Sequence, residues 1–299
     1  MAHGKRASHG LTLGMVLLAG CQAVPQPSPV TPPMPQEAMF PTLKLNPDLL
    51  KPLVPTNDRD WTPEQAKLAV AEFDGDKVTV RNIRDCRWQT STDFTLSHYD
   101  RTFDLNGIRS VDFIVVPFNE TPSLGHTMLS FGFDDGEHLA VSVEIRKERG
   151  QAFSAVGGFL RQYELIYVVA SERDVIQKRV TCDRSDVYLY RSTATPEQAR
   201  ELFVDVMHRV DKLTRSPEFY DTLTNNCTTN IRNHVNHLKP DEVPYDYRVL
   251  LPGLSDELAY DLGLIEHHGS YAETRLRARV NYLAYLHRND PMFSEAIRR

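Results

Sequence analysis

The chain has 299 residues and a formal net charge of −6, from 34 lysines and arginines against 40 aspartates and glutamates. This balance provides no basic surface for a nucleic acid, so we expect no nucleic-acid partner. The spacings of its four cysteines match no zinc site, and we expect the protein to need neither a metal nor an organic cofactor.

Residues 1–20 are typical of a lipoprotein signal peptide. A short basic start at Lys5 and Arg6 precedes the mostly apolar residues 11–18, and Leu18-Ala19-Gly20-Cys21 resembles the cleavage site of bacterial lipoproteins. We therefore expect cleavage before Cys21 and acylation of that residue with fatty acids such as palmitate. An ordinary signal peptide or a chance apolar start is the alternative.

A lipid anchor at Cys21 would tether the mature chain to a membrane, since two acyl chains are enough for stable anchoring. Gln22 follows the cysteine where an aspartate would favour the inner membrane, which points to the inner leaflet of the outer membrane, facing the periplasm. No later stretch approaches the roughly 20 apolar residues of a membrane-spanning helix.

Residues 21–58 are predicted to form the lipidated start and a proline-rich linker. Prolines crowd its first half, and such a segment stays extended and builds no core. The globular body, residues 59–299, begins near Asp60-Trp61 and is long enough for one good core. It contains no internal repeat and no second linker, so a single domain is expected.

The first part of the body contains the predicted strands, which follow a short helix that begins at Thr62-Pro63-Glu64-Gln65. Apolar residues at a period of two, or in short continuous runs, predict the strands. The predicted strands are Lys77–Trp88, Arg109–Pro117, His126–Phe133, Leu139–Arg146, Tyr163–Ala170 and Val187–Tyr190. Asp134-Asp135-Gly136 is typical of a hairpin turn between two of them.

The second part of the body is predicted to be helical. Thr195-Pro196-Glu197-Gln198 is typical of a capped helix start, and an apolar stripe at four-residue spacing follows it. Further helices are predicted from Cys227 onward, over Asp256–Leu264 and over Tyr271–Tyr285. A strand-rich half followed by a helix-rich half predicts an α+β fold with an antiparallel sheet.

Cys227 is the candidate nucleophile. It follows Asn225 and Asn226 at the predicted first turn of a helix, where the helix dipole and unpaired N–H groups favour a thiolate. The backbone N–H of Cys227, with Asn225 or Asn226, is predicted to form an oxyanion hole. Free cysteines are often buried core residues, so a structural Cys227 is the alternative.

His126, which opens a predicted strand, is the leading candidate for the general base. His267 and His268 are the second choice, if the chain folds back toward the cysteine. His234 and His237 lie seven and ten residues into the cysteine helix, about 10–15 Å along its axis and too far for direct contact.

Glu144 is predicted to orient His126, because it lies on the polar face of the strand that pairs with the histidine strand. An exposed or salt-bridged Glu144 is the alternative. Ser130 and Arg146 are weaker candidates near the same face.

Apart from the predicted lipidation site Cys21, three cysteines remain, which is an odd number. If Cys21 takes lipid, a disulfide between Cys86 and Cys182 would leave Cys227 free, and we predict this pairing as a possibility. Separate buried thiols are the alternative.

Six motifs in order carry a family resemblance. They are Arg81-Asn82-Ile83-Arg84-Asp85, Val111-Asp112-Phe113, His126–Phe133, Val143–Glu148, Tyr163–Val169 and Leu223–Asn230. Together, over roughly residues 60–265, they resemble the Lnb N-terminal periplasmic domain family. That family is similar to permuted papain-like folds, such as the NlpC-type and lecithin–retinol acyltransferase-type enzymes. The resemblance implies a circularly permuted papain-like domain in which the histidine strand precedes the cysteine helix, and it favours His126 over His267 and His268.

The resemblance also implies a thiol acyl-transfer site, since the family's namesake is associated with N-acylation of bacterial lipoproteins from phospholipid. We expect Cys227 to attack an acyl carbonyl of a lipid or lipoprotein substrate, with His126 as base and Glu144 as orienting group. A cysteine peptidase or amidase that acts on envelope peptide would use the same residues and is one alternative. A non-catalytic binding or scaffold lipoprotein is the other.

Overall fold

The computed structural model describes residues 54–151, 158 and 161–298. The predicted signal peptide, the Cys21 acylation site and the predicted linker up to residue 53 lie outside the described residues. At the end of the predicted linker, the Asn57 amide donates to the backbone carbonyls of Leu213 and Thr214, at 2.9 and 3.0 Å. No helix in the described part of the chain is long and apolar enough to cross a membrane.

A large sheet forms the centre of the molecule. In the described residues the strands are β1 (Val70–Asp74), β2 (Lys77–Arg84), β3 (Arg87–Trp88), β4 (Phe94–Thr95), β5 (His98–Asp104), β6 (Ile108–Pro117), β7 (Gly125–Phe133), β8 (His138–Arg146), β9 (Glu164–Ser171) and β10 (Tyr188–Arg191). Eight strands form one sheet in the order β1-β2-β9-β8-β7-β6-β10, with β5 also paired to β2. Its neighbours are antiparallel except for β2 and β9, and β3 pairs with β4 separately.

Helices dominate the second half of the chain. They are α1 (Glu172–Gln177), α2 (Pro196–Arg215), α3 (Cys227–Leu238), α4 (Tyr247–Leu250), α5 (Ser255–Asp261), α6 (Tyr271–Ala278), α7 (Asn281–Leu286) and α8 (Phe293–Ala296). A π-helical turn, Lys178–Cys182, continues α1, and Pro63–Gln65 is a 3-10 turn. The fold is therefore mixed α+β, with a large sheet and several helices.

Successive side chains of the central strands point to opposite faces of the sheet, and both faces are buried. Phe131 and Tyr167 point to the side covered by α2 and α3, where Phe203 packs edge-on against Phe131 at a centroid distance of 5.0 Å. Ala140 and Ile166 point to the opposite side, into a cluster that includes residues of α1, α7 and α8. The polar face of β8 is thus covered by structure rather than open to solvent.

The predicted helix Tyr271–Tyr285 is in fact two helices, α6 and α7. The chain is interrupted at Arg279, which adopts an extended backbone and forms a bridge with Tyr188 of β10. The predicted strand Lys77–Trp88 is likewise divided, because the ladder of β2 ends at Arg84. Tertiary pairing to the sheet, which local periodicity does not record, explains both differences.

The β7–β8 hairpin determines which residues of the candidate site lie opposite each other. Its ladder runs from Gly132 opposite His138 to Met128 opposite Ser142, and Gly136 in the predicted turn has a positive φ of 82°. Continuing the same register places His126 opposite Glu144. The short polar turn therefore brings the predicted base and its predicted orienting group onto adjacent strands.

Candidate active site

Cys227 is the first residue of α3, as predicted. Asn226 caps the helix: its side-chain oxygen accepts from the backbone N–H of Thr229 at 2.8 Å, and the Thr229 hydroxyl accepts from the N–H of Asn226 at 2.8 Å. This reciprocal capping fixes the turn that carries the cysteine. The Cys227 side chain is buried beneath it.

The Cys227 thiol has a perturbed acidity. Burial alone would raise its pKa, but hydrogen bonding and charge from His126, together with hydrogen bonds from Thr127, lower the pKa of Cys227 to about 7. Thr127 also lies 3.2 Å from the Thr228 hydroxyl, which is 3.8 Å from the Cys227 sulfur. A thiol with this pKa is about half ionised at neutral pH, and the thiolate is the nucleophile.

The His126 ring is held by a hydroxyl. Its Nε2 lies 2.6 Å from the Ser142 hydroxyl, which donates to Glu144 Oε1 at 2.9 Å. Because Ser142 has a single proton and gives it to Glu144, its oxygen accepts from His126 Nε2–H. The other ring nitrogen, Nδ1, is therefore the one available to the Cys227 thiol. Ser142 was not among the predicted site residues, although its position two residues before Glu144 on the same strand face was a usable signal.

Glu144 is held as a carboxylate. Burial alone would raise its pKa, but Arg179 and His126 lower the pKa of Glu144 to about 2. Arg179 donates to Oε1 at 3.3 Å, and the Gln65 amide donates to Oε2 at 3.3 Å. Arg179 lies in the π-helical turn after α1, and nothing in the sequence pattern indicated that it reaches this site.

The asparagines before Cys227 have structural partners. The Asn225 amide donates to the carbonyl of Phe219 at 2.8 Å, and the Asn226 amide donates to the carbonyl of Thr222 at 2.6 Å. The backbone N–H groups of Cys227 and Thr228 are also donors of this turn, since the first N–H groups of a helix have no partner within it. The oxyanion hole stays a prediction, and the backbone is its better-placed donor.

His267 and His268, the second choice for the base, lie in the loop after α5. The Nε2 of His267 is 2.9 Å from the backbone carbonyl of Tyr260, and its ring stacks on the Tyr260 ring at 3.9 Å. His268 is exposed. Of the predicted histidines, the structure brings His126 to Cys227.

Ser130 and Arg146, the two weaker candidates, are buried and form hydrogen bonds away from Cys227. Ser130 donates to Glu172 Oε1 at 2.6 Å. Arg146 donates to the backbone carbonyls of Gln65 and Ala66 at 3.0 and 2.8 Å. Ser130 thus links β7 to α1, and Arg146 links β8 to the turn at residues 63–66.

The predicted disulfide between Cys86 and Cys182 is not formed, and both residues are free thiols. Cys86 is buried, and its backbone N–H donates to Asp174 Oδ2 at 2.9 Å. Burial and the Asp174 charge raise the pKa of Cys86 to about 12, so this thiol stays protonated. Among the described residues, no group of three or more histidine, cysteine, aspartate or glutamate side chains is arranged to hold a metal ion.

An apolar cavity of about 330 Å³ lies beside the cysteine turn. The β-sheet contributes Leu129, α3 contributes Thr228, Ile231 and Val235, and α5 contributes Leu258. Thr228 directly follows Cys227, so the cavity begins one residue from the candidate nucleophile. Its volume is at the lower end of the roughly 300–1,000 Å³ of small-molecule sites.

A known family model spans the part of the chain that contains this site. The model of the Lnb N-terminal periplasmic domain matches residues 95–253, which is more than half of the chain. The chain belongs to the Lnb N-terminal periplasmic domain family. The matched range contains His126, Ser142, Glu144 and Cys227, whereas Gln65 lies outside it. As a member of this family of periplasmic domains, the chain is an envelope protein. No curated protein and no solved structure matches the chain.

Proposed function

We propose that this Lnb-family chain is a cysteine-dependent enzyme of the envelope that transfers or hydrolyses the acyl group of a lipid or lipoprotein. The hydrogen bond between His126 and the buried Cys227 thiol, which lowers the pKa of the thiol to about 7, is the observation that carries the proposal. Burial acts against ionisation, so a thiol with this acidity needs a partner that can take its proton and remain beside the thiolate, and His126 is that partner.

In the first half of the proposed reaction, His126 Nδ1 takes the thiol proton and the Cys227 sulfur attacks the acyl carbonyl. The carbonyl electron pair moves onto oxygen, where the Cys227 backbone N–H stabilises it. The tetrahedral intermediate then collapses, the bond between carbon and the leaving oxygen breaks, and His126 returns the proton to the leaving alcohol. A thioester on Cys227 remains.

In the second half, an amine or a water molecule attacks the thioester and gives its proton to His126. The bond between the acyl carbon and the Cys227 sulfur then breaks, and the released thiolate takes the proton back from His126. An amine acceptor completes an N-acyl transfer, and water completes a hydrolysis. Each half generates an imidazolium on His126. The Glu144 carboxylate, which contacts Nε2 through Ser142, stabilises that charge.

The cavity favours an acyl chain over a peptide as the substrate group. Ile231, Val235 and Leu258 give it an apolar lining, and Thr228 places it next to the nucleophile. A hydrocarbon chain gains roughly 0.8 kcal/mol for each methylene group that leaves water. Polar side chains such as Gln198, Glu201 and Arg232 also border the cavity, but most of its lining is apolar, which suits a hydrocarbon chain better than the polar backbone of a peptide.

We further propose the permuted papain-like arrangement and the membrane anchor. The histidine strand β7 precedes the cysteine helix α3 in the chain, which is the order of the permuted fold. Acylation at Cys21 would hold the domain against the outer membrane, on its periplasmic side, where phospholipid and lipoprotein substrates are concentrated.

The test is capture of the acyl-enzyme. The full chain is incubated with phospholipid vesicles, and mass spectrometry searches the peptide that contains Cys227 for an acyl adduct that hydroxylamine removes. We expect the adduct in the wild type and in Cys86→Ala, the matched cysteine control, and its loss in Cys227→Ala. Cleavage of an envelope peptide without any lipid adduct would replace the proposal with the peptidase alternative. Absence of both activities would leave a binding protein.

A further inference from the structure

A buried polar chain connects α2 to the cysteine turn. The Nδ1 of His234 lies 2.6 Å from the Asp205 carboxylate, and its Nε2 lies 2.9 Å from the Tyr167 hydroxyl. Tyr167 in turn donates to the side-chain oxygen of Asn230 at 2.9 Å. Tyr167, His234 and Asn230 are 3, 7 and 4 % exposed, so each of their polar atoms needs a partner within the protein.

The direction of these hydrogen bonds follows from Asn230. Its side-chain nitrogen donates to the backbone carbonyl of Asn226 at 2.8 Å and to the side-chain oxygen of Asn225 at 2.9 Å. A carbonyl only accepts, so the Asn230 amide has one possible orientation. Its oxygen therefore faces Tyr167, and the single hydroxyl proton of Tyr167 is given to it.

This leaves the Tyr167 oxygen as an acceptor toward His234. The Nε2 of His234 must then carry a hydrogen and donate it. The Nδ1 of the same ring faces a carboxylate oxygen of Asp205, which also only accepts, so Nδ1 carries a hydrogen as well. A histidine that donates from both ring nitrogens is an imidazolium.

We infer that His234 is held in the folded protein as an imidazolium, and that this charged ring positions the Cys227 turn through Tyr167 and Asn230. Asn230 is the link, because it holds both residues that precede Cys227. The effect on Cys227 rests on the proposed function, whereas the charge of His234 does not.

The surroundings of His234 can hold this charge. Asp205 Oδ1 also lies 2.7 Å from the Nδ1 of His237. Arg209 hydrogen-bonds the Tyr167 oxygen, which has a second lone pair for His234, and the charge of Arg209 is offset by two 2.6 Å contacts with the Glu218 carboxylate. The charged and titratable groups that line the same polar cleft are Asp205, His208, Arg209 and Lys212 from α2, and His237 from α3. Asp205, which directly contacts His234, is the only carboxylate in that lining. The pKa of Asp205 is lowered, because the hydrogen bonds from His234 and His237 outweigh burial, which alone would raise it.

If His234 lost one ring proton, the series of hydrogen bonds would be interrupted at Tyr167. Nε2 would become an acceptor, and the single proton of Tyr167 would then face two acceptors, Nε2 and the Asn230 oxygen. Tyr167 could then keep its hydrogen bond to only one of these two acceptors. Asn230 would then lose the restraint on its amide, and the turn that carries Cys227 would be less well fixed.

The first experiment measures the charge directly. The full chain is labelled with ¹⁵N-histidine, and NMR detects whether each ring nitrogen carries a hydrogen at about pH 7.5, roughly one unit above the ordinary histidine value. His234→Gln identifies the signal of His234. We expect both ring nitrogens to be protonated. One unprotonated nitrogen in the native protein would overturn the inference.

The second experiment tests positioning, with Tyr167→Phe as the variant. Phenylalanine keeps the ring but removes the hydroxyl. We expect the rate of Cys227 alkylation to fall roughly three- to tenfold, which corresponds to the loss of one neutral hydrogen bond. The pH midpoint of the reaction should not change. His237→Gln, which also contacts Asp205 but not Tyr167, is the matched control and should react like the wild type.

The two experiments separate the possible failures. An unchanged alkylation rate in Tyr167→Phe would overturn the positioning role even if His234 proves to be charged. A wild-type Cys227 that does not react in the folded protein would contradict the proposed function. In that case the NMR measurement would still decide the charge of His234.

Discussion

His126 Nε2 and Glu144 Oε1 lie 3.8 Å apart, on neighbouring strands, with the Ser142 hydroxyl between them. The hydroxyl proton points to the carboxylate, so its oxygen can only accept from the imidazole. Glu144 therefore selects the His126 tautomer through Ser142 rather than by direct contact. The selected tautomer leaves Nδ1 without a hydrogen, which is the state that a general base for Cys227 requires.

Ser142→Ala should impair the reactivity of Cys227 without removing either member of the dyad. The change removes the acceptor of His126 Nε2–H, while Glu144 loses one of its three donors and keeps Arg179 and Gln65. We expect the rate of thioester formation to fall roughly tenfold or more, since hydrogen bonds to charged groups are worth about 1.5–3 kcal/mol.

Ser142→Thr keeps a hydroxyl at the same position and is the matched control. Rapid-quench measurement of the acyl adduct on Cys227 distinguishes the two variants. Equal rates in Ser142→Ala and in the wild type would show that the tautomer of His126 is fixed by another group.

The pH dependence of Cys227 alkylation should report the dyad. Iodoacetamide reacts with the thiolate, so the rate should rise with pH around a midpoint near 7, the pKa of Cys227. In His126→Ala the midpoint should move to higher pH, because burial then acts without the opposing charge. His267→Ala, the control, should leave the midpoint in place. A thiol that reacts only after denaturation would identify Cys227 as a core residue.

The parts of the site that are local in sequence could be predicted. The α3 start at Cys227 follows from a capping residue before a helical stripe, and the pairing of His126 with Glu144 follows from the position of a hairpin turn. Both depend on hydrogen bonds within a few residues or on a two-residue period. The same local reasoning predicted the capped start of α2 at Thr195, where the capping box is present.

The parts that depend on distant packing could not be predicted. Arg179 reaches Glu144 from a π-helical turn, and no periodicity marks that contact. Asn225 and Asn226 looked like donors for an oxyanion, yet their amides bind backbone carbonyls. The possible pairing of Cys86 with Cys182 rested on counting thiols, which carries no information on the distance between them.

A buried ion-pair cluster around Arg298, away from the candidate active site, should contribute to the stability of the fold. Arg298, near the end of the chain, donates to Asp112 and Glu172, at 2.6 and 2.5 Å. Arg298→Met would leave two buried carboxylates, Asp112 of β6 and Glu172 of α1, without this cation. We expect the free energy of unfolding at neutral pH to fall by about 3–5 kcal/mol, the usual result of breaking a buried ion pair. Urea denaturation measures it, with the exposed Arg288→Met as control.

The loss caused by Arg298→Met should depend on pH. Burial alone would raise the pKa of Glu172, but Arg298 lowers it to about 2, from an ordinary value of 4.5. A carboxylate whose pKa is lowered by folding stabilises the protein above its unfolded-state pKa, and that contribution is lost as the pH falls toward 2. The difference between variant and wild type should therefore be greatest at pH values above the raised pKa of Glu172 in the variant, and it should shrink steadily as the pH falls toward 2. A difference that grew on acidification would contradict this assignment.

Filling the apolar cavity should separate long-chain from short-chain substrates. Val235 lines the cavity from α3, and Val235→Trp would place an indole in the space of about 330 Å³ beside Thr228. We expect thioester formation with a long-chain phospholipid to fall at least tenfold, because the acyl chain loses its apolar contacts, roughly 0.8 kcal/mol per methylene. A short-chain ester, which needs only Cys227 and His126, should react at the wild-type rate. Val204→Trp, a half-buried position of α2 that does not line the cavity, controls for overpacking. An equal loss for both chain lengths would show that the cavity is not where the acyl chain binds.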